Sequence, residues 1–91
     1  MQTHRFTERF EQSFADLPDD IAGLLEKKLP LFLEDMNHPS FRTKKIQGFR
    51  NPYIWEASLT MGYRFTFQID KDGVIIFRNI GKHSILERKK V

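Results

Sequence analysis

The stretch YIWEASLTMGYRFTFQIDKDGVIIFRNI, Tyr53 to Ile80, decides the fold. Within it Tyr53, Trp55, Ala57 and Leu59 alternate with Ile54, Glu56 and Ser58, and Tyr63, Phe65, Phe67 and Ile69 alternate with Arg64, Thr66 and Gln68. A period of two is the signature of strands that bury one face. Met61-Gly62 and Asp72-Gly73 supply the turns between them, the second a good hairpin signal. The last segment, Val74 to Ile80, is nearly continuous in apolar residues and reads as a strand that is central or covered on both faces. Strands in chain order joined by short turns predict an antiparallel meander.

Upstream of this stretch the period is about 3.6. Phe10, Phe14 and Leu17 recur at spacings of four and three behind Thr7, a good N-cap residue, which predicts a short helix ending at Pro18. A second helix starts near Asp19 and Asp20, whose charges suit a helix N-terminus, and puts Ile21, Leu24, Leu25, Leu29, Phe32, Leu33 and Met36 on one face. Pro30 removes one backbone hydrogen bond inside that pattern, so a kink near Glu26 to Pro30 is expected, with a full break as the alternative. NHPS, Asn37 to Ser40, closes the helical half as a turn, TKKIQG, Thr43 to Gly48, reads as a short basic strand, and THRF at the start can pair at a sheet edge. The expected fold is α+β, a single domain over residues 1–91 with two N-terminal helices on one face of a small antiparallel sheet. The other sheet face, bearing Glu56, Ser58, Arg64, Thr66 and Gln68, is expected to lie open to water.

The net charge of +3 hides an asymmetry: residues 1–41 carry −4 and residues 42–91 carry +7. A positive half-domain favours a polyanionic partner such as RNA or DNA, or an acidic protein surface. With no cysteine there is neither a disulfide framework nor a thiolate metal site, which fits a cytoplasmic protein. The charged N-terminus does not read as a signal peptide, and no apolar run is long enough to cross a membrane. Phosphate-binding glycine loops, zinc spacings, nucleophile elbows and dinucleotide fingerprints are absent from the sequence, so neither a metal nor a cofactor is expected.

The residues able to carry chemistry sit in the basic half. Arg64 points away from the aromatic side of its strand and can grip a phosphate with two parallel hydrogen bonds, or pair across strands with Glu56. Lys44 and Lys45, flanked by Arg42 and Arg50, can contact a nucleic-acid backbone or protect a sheet edge from aggregation. His83 follows Gly81-Lys82 at the end of the last strand; an imidazole moves protons near neutral pH, and a histidine in an exposed tail is the alternative.

Taken in order, HPSFRTKKIQG, IWEASL, YRFTFQI and IGKH resemble the RelE/ParE superfamily of bacterial toxins from type II toxin–antitoxin modules, nearest its RelE-like branch, from about Phe6 to His83. The resemblance implies a small cytoplasmic toxin neutralised by a cognate antitoxin and acting on messenger RNA at the ribosome, without metal or cofactor. It further implies that Arg64 holds the scissile phosphate and that His83 serves as general acid or phosphate ligand. Lys44, Lys45, Lys82 and Arg88 would contact RNA. The strand before YR carries lysines in RNA-cleaving relatives but Glu56 and Ser58 here, which makes Glu56 the candidate base. The tail after His83 offers no aromatic residue of the kind that assists some relatives. Two rival readings stand beside the nuclease: a ParE-like inhibitor of DNA gyrase, and a relative that binds its antitoxin without being toxic.

Overall fold

The computed structural model describes residues 3–91. In chain order its elements are β1 (His4–Phe6), α1 (Glu8–Ala15), α2 (Asp19–Glu34), a 3-10 turn (Pro39–Phe41), β2 (Lys44–Lys45), β3 (Trp55–Ser58), β4 (Arg64–Ile69), β5 (Ile75–Gly81) and a second 3-10 turn (His83–Leu86). The strands form one sheet in the order β1-β5-β4-β3-β2. Strands β2 to β5 are antiparallel as expected, and β1 adds a parallel edge to β5. That extra strand makes β5 internal to the sheet.

Both helices begin as their sequences predict. Thr7 Oγ1 accepts the Phe10 backbone N–H at 3.1 Å, a side-chain N-cap. Asp19 and Asp20 occupy the first turn of α2, where the helix dipole favours negative charge. Pro30 does not break α2, which runs unbroken from Asp19 to Glu34. A helix-interior proline costs about 3 kcal/mol, whereas each fully buried Leu or Phe contributes roughly 1.5–3 kcal/mol. Leu25, Phe32 and Leu33 are all buried on either side of Pro30, so packing wins.

The core lies between the helices and one sheet face, and it is mainly aromatic. Phe32 of α2 is 0% exposed, with the rings of Phe41, Phe65 and Phe67 edge-on at 5.1, 5.0 and 5.2 Å. Tyr53 departs from the expectation that it joins this core: it is 50% exposed, because it precedes β3 and the ladder does not reach it.

One irregularity sets which β5 side chains enter the core. Thr66 pairs with Asn79 but Phe67 pairs with Phe77, so Arg78 is an extra residue opposite no partner, a β-bulge. Strict alternation would send Phe77 and Ile80, three apart, to opposite faces. With the bulge, both bury in the same core, opposite Phe67 and Phe65.

The second sheet face is not open, contrary to the sequence-based expectation. Thr66 is 0% exposed and Asn79 is buried, because residues 83–91 fold back over them. Thr66 Oγ1 donates to the Val91 main-chain oxygen at 3.4 Å, Arg78 Nε donates to the same atom at 3.1 Å, and Asn79 Nδ2 donates to the Lys90 oxygen at 2.5 Å. Ile54, Ile76, Ile85 and Val91 are buried but lie outside the main core. A methyl group on Gly81 would meet Ile85 Cγ2 at 2.8 Å, so the return of the chain after β5 needs glycine there. HSILERKK reads locally as a solvated tail; the bonds that hold it come from β4 and β5 and have no signature in the tail itself.

Candidate nucleic-acid interface

Arg64 opens β4, between Ser58 of β3 on one side and Gly81 of β5 on the other. Its guanidinium turns toward β3. Nη1 donates to Ser58 Oγ at 2.8 Å and to the Thr60 oxygen at 2.9 Å, and Nε lies 3.8 Å from Glu56 Oε1. The side chains of Arg64 and Glu56 are only 20% and 12% exposed, so the pair is screened less than a surface ion pair. Of the two readings of Arg64, the structure shows the cross-strand pairing with Glu56, to which the bonds to Ser58 and Thr60 are added.

That bracing has a measurable cost if it is removed. Hydrogen bonds to charged groups contribute about 1.5–3 kcal/mol, so Arg64→Ala should lower the free energy of unfolding by about 1–3 kcal/mol in urea titration, with Arg64→Lys recovering part of the loss. Unchanged stability in Arg64→Ala would mean that the two short bonds contribute nothing in solution.

His83 begins the second 3-10 turn, two residues past the partner of Arg64, and it is exposed. Among the described residues no hydrogen bond, ion pair or ring contact holds its imidazole. Arg64 and His83 therefore flank the same end of β4 and β5 without touching. Glu56 shares the face of Arg64, opposite Thr66 on one side and Lys44 on the other.

The remaining basic residues disperse around this end. Lys44 is exposed on β2 beside Glu56. Lys45 turns to the other face, its Nζ 4.1 Å from the Tyr53 ring centroid and 5.2 Å from that of Trp55. Arg88 lies over Phe49 at 5.2 Å and donates to the Gly48 oxygen at 3.4 Å, so it pins the tail to the loop after β2. Arg50 and Lys82 are exposed. Arg78, absent from the sequence-based candidates, bonds Gln68 as well as Val91. Burial, and then the positive charge of Arg9, lower its affinity for its proton.

Beside the Arg64 head lies a cleft of about 190 Å³ formed by α2, the first 3-10 turn and the β3–β4 turn. Lys28, Ser40, Arg42, Ser58, Thr60 and Arg64 supply its polar lining. Lys28 was not legible as a site residue, because helix periodicity assigns it to the solvent side of α2 and only the fold brings the β3–β4 turn over it. Its Nζ donates to the Leu59 oxygen at 3.4 Å. Among the described residues no group of three or more His, Asp or Glu side chains is arranged to hold a metal ion, and no helix is long and apolar enough to cross a membrane.

No family model and no curated protein matches the sequence. Solved structures do match the fold. The intact toxin–antitoxin complex RelBE from E. coli aligns with a TM-score of 0.68 at 25% identity, over 90% of this chain and 96% of that one. The archaeal RelE–RelB complex from Pyrococcus horikoshii OT3 aligns at 0.71 with 16% identity, over 89% and 93%. The E. coli DinJ–YafQ toxin–antitoxin complex aligns at 0.74 with 11% identity, over 94% and 97%. The chain has the fold of the RelE-type toxins, the group its motifs resemble.

Proposed function

We propose that this chain is the toxin of a type II toxin–antitoxin module and a ribosome-dependent endoribonuclease acting on messenger RNA in the cytoplasm. The observation that carries the reading is the fold shared over 89–94% of the chain with RelE and YafQ toxins, several of them solved with their antitoxins. The sequence of the basic half supports it with YR at Arg64 and GKH at His83.

The reaction is attack of a ribose 2′-oxygen on the adjacent phosphorus. The O2′–P bond forms, the P–O5′ bond breaks, and the products carry a 2′,3′-cyclic phosphate and a free 5′-hydroxyl. A base takes the 2′ proton, an acid protonates the 5′ oxygen, and a cation stabilises the charge gathering on the phosphorane. Arg64 supplies the cation. His83, exposed two residues past the partner of Arg64, supplies the proton to the leaving oxygen, and Glu56 is the nearest carboxylate to Arg64 and the candidate base. With Arg64 and His83 apart, positioning of the message falls to the ribosome, so isolated protein should be nearly inert toward free RNA. The antitoxin partner is expected to be an acidic or amphipathic segment that orders as it binds.

One observation favours a reading without cleavage: Arg64 is already bonded to Ser58 and Thr60 and faced by Glu56. In that version the chain is a ParE-like gyrase inhibitor or an antitoxin binder without toxicity. Sequencing of 5′ ends after brief induction separates the readings. Cuts at regular codon positions confined to translated messages are expected. Intact messages with an SOS response would assign the gyrase target instead, and intact messages in growing cells would leave antitoxin binding as the function.

A further inference from the structure

We propose that the cleft beside the β3–β4 turn is a phosphate subsite for single-stranded RNA, distinct from the scissile position and gripped by Lys28 and Arg42 with Arg64 as the residue shared between them. The proposal deepens the nuclease reading and rests on it for the identity of the ligand.

Three cations from three separate elements converge there: Lys28 from α2, Arg42 from the end of the first 3-10 turn, and Arg64 from β4. Like charges gathered around 190 Å³ repel one another, and no carboxylate lines the cleft to offset them. Glu56 is the nearest acid to Arg64, and it engages the Nε edge rather than the Nη1 edge that meets Ser58 and Thr60.

The uncharged lining is also rich in donors. Ser58 Oγ accepts from Arg64, and Thr60 Oγ1 accepts the backbone N–H groups of Gly62 and Tyr63 at 3.1 and 3.0 Å. A hydroxyl has one proton and two lone pairs. Both therefore keep a proton for an acceptor brought by a ligand. Lys28 uses one of its three N–H bonds, on the Leu59 oxygen, and among the described residues no hydrogen bond or ion pair holds the Arg42 side chain. A tetrahedral oxyanion satisfies this many convergent donors.

A polynucleotide suits the site better than a free anion because of what stands at its lip. Met61 is 88% exposed there. A flexible thioether beside a cationic cleft offers contact to a base while the phosphate sits among the cations.

The test uses the intact chain with two probes at low salt: a labelled 2′-O-methyl oligoribonucleotide, which cannot be cut because its attacking hydroxyl is blocked, and inorganic phosphate. Lys28→Ala and Arg42→Ala should each weaken oligonucleotide binding about 3- to 10-fold and reduce the slope of log affinity against log salt by about 0.7. Lys27→Ala, an exposed neighbour on the same helix, should change neither, and far-UV circular dichroism should show all three folded. Phosphate should shift the amide resonances of Thr60 to Arg64 only at millimolar concentration, and the oligonucleotide should displace it. Wild-type affinity in both Lys28→Ala and Arg42→Ala would overturn the subsite. So would an equal loss in Lys27→Ala, which would reduce the effect to overall charge. Phosphate that the oligonucleotide fails to displace would overturn the RNA assignment. Binding requires no cleavage, so a protein that binds through this cleft but cuts no message would remove the nuclease reading and leave the subsite standing.

Discussion

His83→Ala should lower the rate of ribosome-dependent message cleavage by about 10²–10⁴-fold, the range contributed by a positioned general acid, while leaving the unfolding midpoint where it was. The second half of that expectation gives the experiment its force. The imidazole is exposed and bonded to nothing among the described residues, and truncating such a side chain changes stability by roughly 0.5 kcal/mol or less. A loss of activity therefore reports on chemistry. Arg64→Ala lacks this property, because the same guanidinium braces the β3–β4 turn and its removal confounds catalysis with folding. The measurement is single-turnover cleavage of a programmed ribosome beside urea unfolding of the free protein. Full activity in His83→Ala would remove the histidine from the reaction and leave Arg64 and Glu56 as the candidate residues.

Phe32→Ala should cost about 3–5 kcal/mol of stability, the usual range for deleting a buried phenyl ring. Phe32 is at the upper end of that range on structural grounds. Its ring is fully buried and meets three other rings edge-on, so the vacated space is lined by aromatic faces from the first 3-10 turn and β4 that are fixed in different elements. Edge-to-face pairs add about 0.5–1.5 kcal/mol beyond their buried area. Total stabilities run to only about 5–15 kcal/mol, and a domain of 91 residues without disulfides belongs near the lower end. The urea midpoint should fall by about 2 M or more with the slope unchanged. A fall of less than about 0.5 M would mean that the aromatic cluster collapses freely around the gap.

The legible part of this molecule is the part written in periodicity. Alternation from Tyr53 to Ile69 marked β3 and β4, and Thr7 with its following apolar residues marked α1. The bulge at Arg78 was not legible, because a run as apolar as VIIFRNI gives no parity to violate. Nor was the covered face, since its cover is a polar tail held by main-chain oxygens. The candidate site divides the same way. Arg64 was legible as a candidate on its strand, whereas His83 and Glu56 took their candidate roles from the family resemblance. The cleft could not, because Lys28 and Arg42 are brought to Arg64 only by packing between segments distant in the chain.

The parallel pairing of β1 with β5 also governs when the molecule can be completed. His4 to Phe6 have their partners at Ile75 to Phe77, so the N-terminal strand leaves the ribosome long before the residues it pairs with are made. A pairing across that separation delays the reward for closing the loop, which slows folding. Strand β5 is made after every other strand of the sheet, and the segment that covers the second face comes later still. During translation the helices and the β3–β4 hairpin exist without the strand that joins them to β1. Until β5 is made, the nascent chain is therefore expected to leave Phe10 and Phe32 without their ring partner Phe77.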